Sequence, residues 1–242
     1  MRKRRKGGYI VIGAVIFDMD GVLSDTQWLH EETQAAALAR RGIVVDHKEL
    51  GKRFSGVPNR DWLAILCDEY HVPRSVIPGL LEEFERSFLS EGHGKVRAIE
   101  GARELVASLR RAGVPLALVS GSNSRVVAFV LAELELADAF KVVVTSDDPV
   151  AGKPSPAPFL LAAERLGVAP EGCVVIEDGV SGMVGARKAG MKAVALAPPG
   201  ERGLSRGSRH PQPARARRGR SRDDKRQDLG HLPQQPFCSS QI

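Results

Sequence analysis

Five short apolar segments set the fold class of this chain, because Val, Ile, Leu and Ala follow one another in them without alternating with polar residues. Uninterrupted apolar runs of this length are typical of strands buried on both faces of a parallel sheet. The segments are Ile10–Phe17, Leu116–Ser120, Lys141–Thr145, Cys173–Glu177 and Lys192–Ala197. Helical patterns separate the later segments. This alternation predicts an α/β fold with an open, doubly wound parallel sheet.

Almost a hundred residues separate the first segment from the second, and a single crossover helix needs far fewer. The interval shows four helical patterns, at Gln27–Arg41, Asp46–Phe54, Asn59–Tyr70 and Pro78–Ser90. We therefore predict an α-helical cap domain at residues 26–95. It is inserted into a core domain that consists of residues 1–25 and 96–197.

The positive charge of the chain lies at its two ends. The 242 residues carry a net charge of +6, of which +5 falls in residues 1–6 and +6 in residues 198–242, so residues 7–197 carry −5. The basic, low-complexity composition of residues 198–242 predicts disorder. There are two alternatives to disorder: residues 198–242 form a basic arm that binds RNA, or a shifted reading frame produced this segment. Residues 1–17 also resemble the start of a signal peptide, but their β-branched apolar run favours a strand.

Several classes of protein are excluded by composition. No apolar run approaches the ~20 residues that a membrane-spanning helix needs, so we expect no membrane association. Three scattered cysteines do not form a disulfide framework, which favours a reducing, cytoplasmic setting. Without paired Cys or His ligands, a bound metal is expected to have oxygen ligands.

Most of the candidate chemistry lies just after an apolar segment, where sites form in open α/β sheets. The residues concerned are Asp18, Asp20, Ser120, Gly121, Lys153, Glu177 and Asp178. Their types favour phosphoryl transfer, because four carboxylates supply enough oxygens for an octahedral Mg²⁺. The metal and Lys153 would neutralise a phosphate dianion, and Ser120 with the backbone N–H groups of the Gly121 turn would hold its oxygens. A carboxylate beside the metal can attack phosphorus to form an acyl phosphate, which water then cleaves.

The chain resembles the haloacid-dehalogenase-like (HAD) hydrolases, in the subgroup whose helical cap follows the first strand. The resemblance runs from about residue 14 to residue 197. It rests on FDMDGVLSDT, the turn at Ser120, GKPSPAPF and IEDGVSGMVGARKAG, in that order. It implies Asp18 as the nucleophile and Asp20 as the general acid and base. Members that dehalogenate lack the second aspartate, so the resemblance implies a phosphoric monoester hydrolase or a mutase.

The same resemblance implies roles for the remaining strand-end residues. Ser120 and Lys153 would hold the phosphate. Mg²⁺ would be bound by Asp18, the backbone carbonyl of Asp20 and Asp178, with Glu177 in or near its coordination shell. The substrate is expected to be a small phosphorylated metabolite, and the chain a monomer or a dimer. Nucleic acid is not an expected partner.

The helical cap carries the candidate substrate residues. The fragments KRF-x-GV and AIEGA resemble those of phosphatases of sugar phosphates and sugar-acid phosphates, including 6-phosphogluconate phosphatase. Hydroxyl groups or a carboxylate of the substrate could meet Lys52, Arg53, Asn59 and Arg60 of the cap, and Gly56 is a further candidate from the same segment. His30 lies where β-phosphoglucomutases carry a hinge-region histidine, so a mutase of that type is the alternative enzyme.

Two further interpretations concern the ends of the chain. The family normally continues after the fifth strand with another helix and strand, which residues 198–242 do not resemble. A protein inactivated by a compromised C-terminus is therefore one alternative. A catalytically inactive protein that binds nucleic acid through its basic termini is another.

Overall fold

The computed structural model describes residues 12–54 and 57–196, without the side chain of Lys52. The basic termini and Gly56, for which predictions were made, lie outside the described residues. The five strands are β1 Ala14–Phe17, β2 Leu116–Val119, β3 Val142–Val144, β4 Cys173–Glu177 and β5 Lys192–Ala195. The helices are α1 Gln27–Ala39, α2 His47–Phe54, α3 Asn59–Glu69, α4 Ile77–Gly92, α5 Ala102–Arg111, α6 Ser124–Glu133, α7 Ala157–Leu166 and α8 Val180–Lys188.

The strands form one parallel sheet in the order β3-β2-β1-β4-β5. The central strand β1 pairs with β2 through Val15 and Leu116, and with β4 through Ala14 and Cys173. Because β1 is flanked by β2 and β4, the residues that follow these three strands emerge side by side. The predicted doubly wound parallel sheet is confirmed.

Each face of the sheet packs against its own helices, as the two-residue periodicity of a strand requires. Val15 and Phe17 belong to a buried cluster with side chains of α5 and α6, while Ala14 and Ile16 belong to a second cluster with side chains of α7 and α8. All four residues of β1 are buried. The middle of the sheet is therefore a rigid base for the polar residues at its carboxyl edge.

Helices α1 to α4 occupy the long interval between β1 and β2, and they have an apolar core of their own. Trp62 and Phe84 stack there with their ring centroids 5.9 Å apart, and Cys67 is fully buried. Leu29 of α1 and Phe88 of α4 belong instead to the cluster beneath the sheet. The insert thus has an independent core but is anchored on the sheet through the ends of two helices.

The prediction that every strand is buried on both faces is wrong for β5. Lys192, Val194 and Ala195 are exposed, and Val194 keeps 48% of its surface accessible. Strand β5 lies at an edge of the sheet, with β4 as its sole partner among the described strands, and of its four residues Ala193 alone packs against one of the two buried clusters. No helix within residues 12–54 and 57–196 combines the length and apolarity that crossing a membrane requires.

Candidate active site

The carboxyl edge of the sheet brings together the residues that follow β1, β2 and β4. Asp18 comes directly after β1, Ser120 directly after β2, and Glu177 is the last residue of β4. The Asp18 N–H donates to the Ile176 carbonyl at 3.0 Å, which continues the β1–β4 pairing to the end of β1. The sheet order therefore brings the positions of these three residues to one edge of the sheet.

Lys153 links two of the carboxylates. Its Nζ donates to Asp18 Oδ1 and to Glu177 Oε1, each at 2.6 Å. The Lys153 side chain is 13% exposed, and it lies in the loop between β3 and α7. A cation shielded from water in this way offsets the repulsion between two acids that would otherwise face each other.

Glu177 is held in place from both sides of its carboxylate. It is 2% exposed, and its Oε2 accepts a hydrogen bond from the Gly179 N–H at 2.7 Å. A Cβ at Gly182 would lie 1.6 Å from Glu177 Oε1, so α8 can approach this carboxylate because residue 182 is glycine. The glycine explains how a helix packs directly over a buried acid.

The carboxylates of Asp18, Glu177 and Asp178 could hold a metal ion. Each offers one oxygen, and these oxygens lie within 4.8 Å of one another. Gly21 has φ +77°, a left-handed conformation, and a Cβ there would lie 2.0 Å from Asp178 Oδ2. Three carboxylate oxygens with no nitrogen or sulfur donor among them suit a hard cation such as Mg²⁺. The residues present thus fit the predicted metal.

Asp20 lies in a separate polar cluster, outside that group of three carboxylates. Its Oδ1 accepts a hydrogen bond from the Thr26 hydroxyl, which in turn lies 2.7 Å from the buried Ser24 hydroxyl. His30 Nε2 is 3.5 Å from the same oxygen, and its ring stacks on Phe88. This nitrogen is buried and forms no hydrogen bond within the described part of the chain.

The surroundings separate the pKa values of these acids. Burial, Glu177 and Asp20 raise the pKa of Asp18 from 3.8 to about 7, although Lys153 opposes them. Burial and Glu177 likewise raise the pKa of Asp178 to about 6. Burial also disfavours the Asp20 carboxylate, but His30 and the Thr26 hydroxyl outweigh it and lower the pKa of Asp20.

Lys153 keeps its charge despite its burial. Desolvation lowers its pKa, but the charges of Asp18 and Glu177 and the hydrogen bonds to both carboxylates outweigh that effect, so the pKa of Lys153 is raised. The site therefore contains a permanent cation beside an acid, Asp18, whose ionisation is unusually costly.

The turn after β2 is tied to the helical insert. Ser120 is 5% exposed, and its Oγ accepts a hydrogen bond from the Ser122 N–H at 3.1 Å, which folds the Gly121 turn around it. Asn123 caps α6 by accepting from the Val126 N–H at 3.0 Å. The Asn123 amide also donates to Glu85 of α4 at 2.7 Å. A side chain of the insert thus fixes the residue that ends this turn.

The predicted cap residues do not all share one position. His30 and Asn59 line a small cleft of about 90 Å³ between α1, α2 and α3. Arg60 is an exposed residue of α3 and is not among the residues that line this cleft. Lys52 lies in α2, but its side chain is outside the described residues, as is the whole of Gly56.

Sequence reasoning missed several residues around the site. Thr26, Glu85 and Asn123 act through contacts between segments that are distant or unpatterned in the sequence. Gly182 could have been noticed, because a glycine inside a short helical pattern often marks a close approach. The remaining misses are Gln27, Glu31 and Gln34, which line the cleft beside His30.

Comparisons with known proteins agree with this architecture. A phosphorylated carbohydrates phosphatase from Thermotoga maritima is 35% identical over 188 residues, which cover 75% of this chain and 83% of that protein. A fructose-1-phosphate phosphatase from Escherichia coli is 33% identical over 182 residues, which cover 74% of this chain and 94% of that protein.

Solved structures have the same fold. A HAD family hydrolase from Deinococcus radiodurans, solved with bound phosphate and sodium, superposes with a TM-score of 0.61 at 35% identity. The superposition covers 79% of this chain and 83% of that one. Residues 12–190 match the family model described as haloacid dehalogenase-like hydrolase. The protein is therefore an enzyme of the haloacid dehalogenase-like hydrolase family.

Proposed function

We propose that the protein is a Mg²⁺-dependent phosphatase of small phosphorylated carbohydrates that works through an aspartyl-phosphate on Asp18. The observation that carries the proposal is the placement of Asp18 at the centre of the sheet edge. One of its oxygens is 2.6 Å from the Lys153 ammonium. The group also contributes to the cluster of three carboxylates that fits a hard cation. An acid, a cation and a metal site converge where a phosphate would have to lie.

The chain's own groups account for both chemical steps. The Asp18 carboxylate attacks phosphorus, a new O–P bond forms, and the bond from phosphorus to the leaving oxygen breaks. Lys153 and the Ser120 turn bind the phosphate oxygens. Asp20 supplies a proton to the leaving oxygen and afterwards takes one from the water that cleaves the acyl phosphate.

The lowered pKa of Asp20 has a consequence for the order of these steps. Asp20 rests as the carboxylate, which is the form that activates water, and must receive a proton before it can act as the acid. Asp18, by contrast, must lose its proton to attack, although burial favours its neutral form. Bound to Asp18, Glu177 and Asp178, Mg²⁺ would supply the positive charge that favours the ionised Asp18 and attracts the phosphate oxygens.

The helical insert, residues 26–95, is proposed to be a cap domain that holds the carbohydrate part of the substrate, while residues 1–25 and 96–197 form the catalytic core. Two of the predicted substrate residues, His30 and Asn59, line the cleft between α1, α2 and α3. The names of the relatives, which act on phosphorylated carbohydrates and on fructose 1-phosphate, support this class of substrate.

The test is phosphate release from a panel of sugar phosphates, sugar-acid phosphates, phosphoglycolate and p-nitrophenyl phosphate, with Mg²⁺ and with chelator. Asp18→Asn is expected to abolish turnover. It should also prevent formation of the aspartyl-phosphate, which mass spectrometry of the acid-quenched wild-type reaction would detect. Asp25→Asn is the matched control, because Asp25 is an exposed aspartate of the same loop. It is expected to retain activity.

Other outcomes would favour the alternative functions. Isomerisation of β-glucose 1-phosphate without phosphate release would indicate a mutase. No turnover by a folded chain, together with salt-sensitive binding of nucleic acid, would overturn the proposal in favour of a binding protein. Full activity of Asp18→Asn would refute the assignment of the nucleophile.

A further inference from the structure

The cleft between α1, α2 and α3 begins one side chain away from the catalytic edge. His30, which lies 3.5 Å from Asp20 Oδ1, is one of its lining residues. Gln27, which follows the Asp20 partner Thr26 in the chain, is another. A leaving group attached to a phosphate at Asp18 and next to Asp20 would therefore extend towards this cleft.

The polar lining is rich in groups that recognise hydroxyls. Gln27, Gln34 and Asn59 provide carboxamides, each of which can both donate and accept hydrogen bonds. Glu31 adds a carboxylate that accepts only. Apart from His30, Glu31 is the one ionisable side chain among the described residues that line the cleft. The cleft thus offers many partners to hydroxyl groups and a repulsive charge to an anion.

An aromatic wall completes the cleft. Phe54 and Trp62 stack with their ring centroids 5.6 Å apart, and both line the cleft. The Trp62 Nε1 donates to Asn59 Oδ1 at 3.1 Å, which fixes the amide orientation of Asn59. Apolar rings beside convergent polar groups are the usual composition of a small-molecule site.

The Glu31 carboxylate has a defined position. Its Oε1 accepts a hydrogen bond from Gln27 Nε2 at 3.1 Å. A Cβ at Gly51 of α2 would lie 2.1 Å from the same oxygen, so the carboxylate packs against α2 because residue 51 is glycine. Glu31 is therefore a half-buried residue whose carboxylate lies against the α2 wall of the cleft.

We propose that this cleft selects an uncharged, hydroxyl-rich leaving group and that Glu31 excludes leaving groups that carry a carboxylate. The inference rests on the proposed phosphatase function and refines it. Of the two substrate classes that the sequence leaves open, it selects neutral sugar or polyol phosphates over sugar-acid phosphates. Like charges brought together in a partly buried cleft oppose binding, whereas a hydroxyl in the same place accepts or donates a hydrogen bond.

Sorbitol 6-phosphate and 6-phosphogluconate provide the test, because they differ in having a hydroxymethyl group or a carboxylate at carbon 1. Wild-type kcat/KM is expected to favour sorbitol 6-phosphate by roughly tenfold or more. Glu31→Gln keeps the shape and removes the charge, and should reduce that preference at least about tenfold. Glu32→Gln is the matched control, because Glu32 is an exposed residue of the same helix outside the cleft, and it should leave the preference unchanged.

A second measurement does not depend on turnover. Calorimetric titration of Asp18→Asn with the two compounds in the presence of Mg²⁺ should show tighter binding of sorbitol 6-phosphate, and Glu31→Gln in that background should remove the difference. Equal affinities, or a preference that survives Glu31→Gln, would overturn the inference. If the wild type does not hydrolyse p-nitrophenyl phosphate, that result counts against the phosphatase proposal and not against the inference about the cleft. The reason is that this compound lacks the hydroxyl groups that the cleft is proposed to select.

Discussion

Replacing Asp18 with Asn is expected to stabilise the metal-free protein while it abolishes turnover. Asp18 is buried beside Glu177 and near Asp20, and its ionised form is disfavoured although Lys153 donates to it. Asn has nearly the same shape and carries no charge. The variant therefore removes a carboxylate whose ionisation lowers the stability of the wild type. We propose that the wild type keeps this carboxylate because it is the nucleophile.

The pKa of Asp18 sets the size and the sign of the effect. That pKa rises from 3.8 in the unfolded chain to about 7 in the folded one. Well below pH 3.8 the Asp18 carboxyl is protonated in both states, so there is no penalty. As the pH rises towards 7 the unfolded chain loses the proton first, and the stability of the wild type falls. At about 1.36 kcal/mol for each pH unit, the penalty reaches roughly 2 kcal/mol at pH 5 and roughly 4 kcal/mol at pH 8.

Urea denaturation of the wild type and Asp18→Asn in the presence of chelator would measure this penalty. The variant should unfold at higher urea, with a free-energy gap that roughly doubles between about pH 5 and pH 8. Asp25→Asn should show no such gap. Mg²⁺ at about 100 times its dissociation constant should narrow the gap by up to about 2.7 kcal/mol, because it binds the folded wild type more tightly than the variant, which lacks the Asp18 carboxylate. Equal stabilities at pH 8, or a gap independent of pH, would refute this reasoning.

Two further substitutions test how the edge of the sheet is held. Gly182→Ala places a Cβ 1.6 Å from Glu177 Oε1, so the carboxylate must move, and we expect turnover and apparent Mg²⁺ affinity to fall by about tenfold or more in a Mg²⁺ titration. A Cβ at Gly152 would have no neighbouring atom within 4 Å, so Gly152→Ala should change neither turnover nor Mg²⁺ affinity. An equal loss in both variants would contradict the role of Gly182. Glu85→Ala removes the acceptor 2.7 Å from the Asn123 amide and should speed amide hydrogen exchange in the first turn of α6 by about tenfold or more. Unchanged protection there would show that the contact does not stabilise that turn.

The fold and the catalytic edge could be predicted from the sequence because their signals are local. A buried parallel strand is an uninterrupted apolar run, and the residue after it is read directly from the chain. Asp18, Ser120 and Glu177 were located in this way, and the sheet order brings the three strand ends together. The long interval after the first apolar segment likewise predicted the four helices α1 to α4 that the structure shows.

The rest could not be predicted because it depends on contacts between distant segments. Glu85 and Asn123 are 38 residues apart and carry no shared pattern. The approach of Glu31 to Gly51 depends on how α1 packs on α2, which helical periodicity does not determine. The exposure of β5 is similar, because the apolar residues of its sequence KAVA do not indicate that the strand lies at an edge of the sheet. Periodicity indicates that a strand exists and leaves its place in the sheet open.

One short segment links the proposed leaving-group cleft to the proposed general acid and base. Between the end of β1 and the first turns of α1 lie Asp20, its hydroxyl partner Thr26, and the cleft residues Gln27 and His30. His30 is the largest of the influences that lower the pKa of Asp20 against the effect of burial. It also lines the cleft in which the leaving group is proposed to bind. His30 therefore lies within 3.5 Å of the proposed general acid and base and also in the wall of the proposed leaving-group cleft, so one side chain joins the two sites.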